Sequence, residues 1–160
     1  MKKRSVATSF AVLLLFVMVS TALAAPGAAN VPLPFKGSIQ AVETSVVQPP
    51  TLYVDANGSG NATHLGRYAV SYQVEVFIPT RVGIASLTFV AANGDSIFAD
   101  GLGQASASGT PGVNRIAEDF TITGGTGRFA GASGSFHVER LVTMATGVSS
   151  GTFDGNIVMP

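Results

Sequence analysis

Arg67-Tyr68-Ala69-Val70-Ser71-Tyr72-Gln73-Val74-Glu75-Val76-Phe77-Ile78 is the stretch that decides the fold. Tyr68, Val70, Tyr72, Val74, Val76 and Ile78 occupy one parity. Arg67, Ala69, Ser71, Gln73 and Glu75 occupy the other, until Phe77 breaks the rule. Successive side chains of a strand point to opposite faces, so a period of two predicts a strand with one dry and one more polar side.

Working outward, the same pattern recurs with turn signals about every ten residues, the spacing of a sandwich or barrel. Strands are predicted over 35–46, 51–59, 67–78, 84–92, 95–103, 115–123, 132–143 and 150–159. Asn93-Gly94-Asp95 supplies left-handed positions for a tight hairpin. Gln104 to Gly112, rich in Ser, Ala and Gly, reads as a long loop. Short connections place sequential strands side by side and antiparallel. The predicted fold is all-β, an eight-stranded antiparallel β-barrel, with a β-sandwich as the alternative.

Composition narrows the chemistry. Charged residues make up 11% of the 160, too few for a solvated, disordered chain. There is no cysteine, which excludes disulfides, thiol catalysis and thiolate metal sites. Of 9 basic residues, Lys2, Lys3 and Arg4 stand at the N-terminus. The 6 that remain face 9 acidic ones, a balance of −3 with no basic patch for nucleic acid or anionic lipid.

Lys2-Lys3-Arg4, the apolar run Phe10 to Val19 and the small-x-small triplet Ala22-Leu23-Ala24 form a secretory signal pattern. The apolar run is short of the roughly 20 residues of a membrane span. We expect residues 1–24 to be removed on export, 25–33 to be a flexible lead-in and 34–160 to be one domain, secreted or periplasmic and without a membrane anchor.

Phe120-Thr121-Ile122-Thr123-Gly124-Gly125-Thr126-Gly127-Arg128-Phe129-Ala130-Gly131-Ala132-Ser133-Gly134 resembles the GGTGxFxxAxG hairpin of dirigent proteins and of the wider allene oxide cyclase barrel-like group. Gly60-Asn61-Ala62-Thr63-His64-Leu65-Gly66-Arg67 and Ala92-Asn93-Gly94-Asp95 resemble its bacterial secreted branch. The resemblance implies an eight-stranded barrel, trimeric in many plant members, and a homo-oligomer, trimer or dimer, is therefore an expectation. It carries no catalytic residue onto this chain. Physically, Gly124, Gly125, Gly127 and Gly134 suit a structural corner into which Phe129 tucks as an apolar plug. No Lys and no helix follow, so the corner is not a phosphate cradle.

The charges that need explaining are few. Glu118 is in step with Ile116, Phe120 and Ile122, and Arg140 with Phe136, Val138 and Val142. Alternation puts both on the apolar side. A hairpin pivoting near Gly127-Arg128 sets residue 118 opposite about 138, with Arg140 on the diagonal. A buried carboxylate needs a partner, so a Glu118–Arg140 pair is expected inside the barrel or at its mouth, as a structural pair or as the polar anchor of a ligand. Asp100 beside Gly101 could line the mouth with Arg67, or simply shape a turn. His64 sits at a bend before Arg67 and joins Glu118, Arg140, Arg67 and Asp100 as a candidate ligand contact, while His137 falls on the solvated face. Two histidines without shared spacing make a poor metal site. Tyr68 and Tyr72 serve as core or as aromatic lining. Asn57 and Asn61 match the glycan acceptor pattern.

No cofactor, metal or triad is indicated. The expected function is non-enzymatic binding of an apolar small molecule or a partner. The alternatives are a protein that steers a reactive intermediate by confinement, and a structural protein with a filled, inert barrel.

Overall fold

The computed structural model describes residues 31–160, so the predicted export signal and most of the predicted lead-in lie outside the described residues. Eight strands follow: β1 (Leu33–Gln48), β2 (Thr51–Ala62), β3 (Gly66–Phe77), β4 (Val82–Ala91), β5 (Ser96–Ala107), β6 (Val113–Gly125), β7 (Ser133–Thr143) and β8 (Val148–Val158). Each pairs antiparallel with its neighbour in sequence, and β1 returns to pair with β8. The sheet closes into a barrel, which leaves no open edge. The sandwich alternative is excluded by that closure.

Alternation drives the result. Along β3, Tyr68, Val70, Tyr72 and Val74 are buried while Arg67, Ala69, Ser71, Gln73 and Glu75 are exposed. Ile78 corrects the expectation at the end of this row. It lies past the strand in the β3–β4 turn and is 41% exposed. Two other expectations shift. Leu33 belongs to β1 rather than to a lead-in. Residues 104–107 extend β5 rather than opening a loop, because Gln104 to Ala107 pair with β6 residues Ala117 to Asn114.

One end of the barrel is packed solid. Phe35, Phe89, Phe136 and Phe153 meet there, with Tyr68 edge-on to Phe89 at 4.9 Å and Phe120 stacked on Phe136 at 5.2 Å. Each fully buried phenylalanine contributes about 1.5–3 kcal/mol of transfer free energy. An eight-stranded barrel is narrow, so rings this large need bare backbone opposite them. A Cβ on Gly60 would stand 2.5 Å from the Tyr68 hydroxyl, one on Gly101 2.7 Å from Phe120 Cδ1, and one on Gly37 2.6 Å from Phe153 Cζ.

The glycine-rich corner seals this end. Gly127–Phe129 forms one 3-10 turn, and Phe129 is 0% exposed, the plug expected of it. Gly127 has φ +57°, and a Cβ there would fall on the Asp95 carboxylate. The corner is tied to the β4–β5 turn. Thr126 N donates to Ser96 O at 2.8 Å, Ser96 N donates to Thr126 Oγ1 at 3.0 Å and Arg128 N donates to Asp95 Oδ2 at 3.3 Å. The β2–β3 turn is held at the same end, where Thr63 Oγ1 donates to Pro34 O at 2.8 Å and accepts from Lys36 N at 3.0 Å. The three sequence stretches on which the family resemblance rests thus all build the closed end.

Candidate functional site

The opposite end, where the β1–β2, β3–β4, β5–β6 and β7–β8 connections emerge, holds a cavity of about 360 Å³. Its walls are apolar: Leu52, Val54, Val74, Val76, Ile116 and Val142. Gly83 and Gly103 also line it, and they are register partners across β4 and β5. Two glycines facing each other leave that wall without side chains of its own, and Val74 and Glu118 pack close over it, 2.8 and 2.5 Å from where a Cβ on Gly83 and on Gly103 would stand. Gln104, Asn114, Met144 and the exposed Arg81 form the rim.

The floor is charged. Glu118 is 4% and Arg140 5% exposed. The register places Glu118 opposite Val138 and Arg140 opposite Ile116, so the two lie on a diagonal, as the hairpin pivot predicts. Arg140 Nε donates to Glu118 Oε2 at 2.9 Å and Nη2 donates to Oε1 at 3.0 Å. The planar fork of guanidinium and carboxylate allows both bonds at once.

Arg140 then reaches the other way. Gly151, opposite it on β8, has no side chain in the path. Arg140 Nη1 donates to Ser149 Oγ at 3.1 Å and to Glu43 Oε1. Tyr72 beneath donates its hydroxyl to Glu43 Oε1 at 2.8 Å, accepts from Arg140 Nη1 at 3.3 Å and offers its ring to the guanidinium, 4.9 Å from the centroid. One arginine thus joins residues of β1, β3, β6 and β8. Every fully buried side-chain polar atom among the described residues has a partner.

Electrostatics follow from burial. Burial pulls the Arg140 guanidinium down, but the Glu118 hydrogen bonds and charge, with Tyr72 and Glu43, outweigh it and hold the group above its ordinary range. Burial pushes the Tyr72 phenol up. The Arg140 charge opposes that and Glu43 adds to it, so the phenol stays a neutral donor. Desolvation alone raises Tyr68.

The cavity collects two of the sequence-predicted site residues, Glu118 and Arg140, and leaves out three. Asp100 lies in mid-β5, paired with Ser86 and Thr121, and points outward; it neither lines the mouth nor shapes a turn. It is out of step with buried Ile97 and Ala99, which is why alternation turns it to solvent. Arg67 is exposed for the same reason beside buried Tyr68. His64, with φ +63°, is half-buried in the β2–β3 turn at the closed end. His137 is on the outer face, with Nδ1 2.7 Å from Asp119 Oδ1. Asn57 and Asn61 are exposed on β2. Among the described residues, no group of three His, Asp or Glu is placed to hold a metal.

Sequence reasoning missed Glu43, Ser149 and Arg81. A signal existed for two of them. Glu43 is in step with buried Phe35, Ile39 and Ala41, and Ser149 with buried Phe153 and Ile157. Tyr72, weighed between core and lining, is core that also supports the floor.

No protein-family model, curated protein or solved structure matches this chain.

Proposed function

We propose that this protein is an exported barrel that binds a small, largely apolar molecule through its open end, without transforming it. The cavity carries the reading. About 360 Å³ of space with aliphatic walls and a charged floor has the size and polarity of a ligand pocket. A structural barrel would fill the lumen at both ends, whereas here the closed end is packed with phenylalanine and the other encloses open space. The secretory pattern of residues 1–24 supports export, and the glycine-rich hairpin supports kinship with dirigent-like barrels.

A second reading is favoured by one observation: a guanidinium, two carboxylates and a neutral phenol meet at the floor. Such a floor in a dry pocket could steer a reactive intermediate by confinement and hydrogen bonding. Self-association belongs to the same proposal, since the register partners Ile84 and Leu102 are both exposed on the outer face of β4 and β5.

Native mass spectrometry of the protein purified from its own host tests these readings together. A retained small-molecule adduct is the expected result, and its chemical identity before and after incubation separates binding from conversion. A clean unliganded mass, with no uptake from an apolar compound library, would sink both.

A further inference from the structure

We propose, resting on the ligand-site reading, that the molecule this cavity takes carries a protonated amine, seated against the Glu43 carboxylate with its apolar body along the aliphatic walls. The floor holds two carboxylates, Glu43 and Glu118, against one guanidinium, Arg140. Both oxygens of Glu118 are taken by Arg140. The Glu43 oxygens are used unequally. Oε1 accepts from Arg140 and from Tyr72, while Oε2 has no donor among the described residues. The Glu43 side chain is 12% exposed and lines the cavity. An acceptor with spare capacity therefore belongs to a residue that lines a confined space, and the floor of that space is one negative charge in excess.

Ligand classes differ at this floor. A carboxylate would add a third negative charge beside two, which Coulomb repulsion in a partly desolvated pocket disfavours. An alcohol could donate to Glu43 Oε2 but would leave the charge unbalanced. An ammonium donates to the same oxygen and balances it, and a charge-assisted bond of this kind is the stronger one. Arg81, the remaining charged residue on the cavity wall, does not reverse the sign. It is exposed on the β3–β4 turn at the rim, where solvent and salt screen it. It would stand near the ligand's outer end.

The test titrates the protein, calorimetrically and at one near-neutral pH, with three molecules of matched length: octylamine, 1-octanol and octanoate. Octylamine is expected to bind about tenfold tighter than octanol, with octanoate weakest, as a charged donor outcompetes a neutral one. Glu43→Gln keeps the shape and removes the charge, and is expected to shrink the amine preference to about threefold or less. If that variant does not fold, the ranking in the unaltered protein decides alone. Octanol or octanoate binding as tightly as the amine would overturn the amine proposal and leave the ligand-site reading standing. Binding of none of the three would overturn both.

Discussion

Arg140 holds Glu118 through two bonds, at 2.9 and 3.0 Å, although the residues sit diagonally rather than opposite on β6 and β7. Parity turns both side chains inward, and their length spans the offset between them. Offset along the strands, the guanidinium lies across the barrel and still has a nitrogen free to reach Ser149 and Glu43. The floor of the cavity is thus one hydrogen-bonded unit.

Removing its hub should be costly. Arg140→Met leaves Glu118 and Glu43 uncompensated, and breaking a buried pair from one side costs about 3–5 kcal/mol. Urea unfolding measures this. Adding Glu118→Gln and Glu43→Gln to Arg140→Met should recover most of the loss, since the penalty lies in the orphaned charges. A triple variant as unstable as the single one would contradict this account.

Gly103 lines the cavity wall beside Glu118. A Cβ there would stand 2.5 Å from Glu118 Cγ, and Glu118 cannot swing away while Arg140 holds it. Gly103→Val is expected to cost about 1–3 kcal/mol by overpacking and to abolish ligand uptake. Unchanged uptake, read by the same titration, would mean that the ligand lies elsewhere.

Phe129→Ala provides the opposite control. Phe129 is fully buried at the closed end, so its truncation should cost about 3–5 kcal/mol. Ligand affinity, measured well below the melting temperature, should stay within about twofold, because the cavity lies at the other end. A large affinity loss in a folded variant would show that the two ends are coupled.

Alkaline pH should reveal the buried phenols. Tyr68 and Tyr72 are pushed above the ordinary value of 10.0. Their contribution is complete below that value and is lost as the pH rises from it, because the unfolded chain releases protons that the folded chain keeps. Each should steepen the decline of unfolding free energy by about 1.4 kcal/mol per pH unit. Denaturant midpoints between neutral and strongly alkaline pH check this. Tyr72→Phe should flatten the decline; the same slope in the variant would assign it to other groups.

Much of this architecture was legible in the chain, because strand periodicity is a local property. Tyr68 to Val74 alternate, and that suffices to predict β3 and its buried face. The same logic put Glu118 and Arg140 inside, and the pivot of the Gly124–Gly134 hairpin set their diagonal. Consistent use of it would have turned Asp100 and Arg67 outward and Glu43 inward. Strand ends were less legible, because tertiary pairing carries β5 on to Ala107 through residues that resemble a loop.

Parity along one strand and the geometry of a single hairpin depend on neighbours in sequence, and the chain by itself determined them: the strands, their inner faces and the Glu118–Arg140 pair. Contacts between distant strands were decided only by closing β1 onto β8. That closure brings Glu43 to Arg140 across 97 positions. The cavity, its rim and the excess negative charge of its floor exist only once the ring is complete, since a void is defined by all the walls around it and by no single one of them.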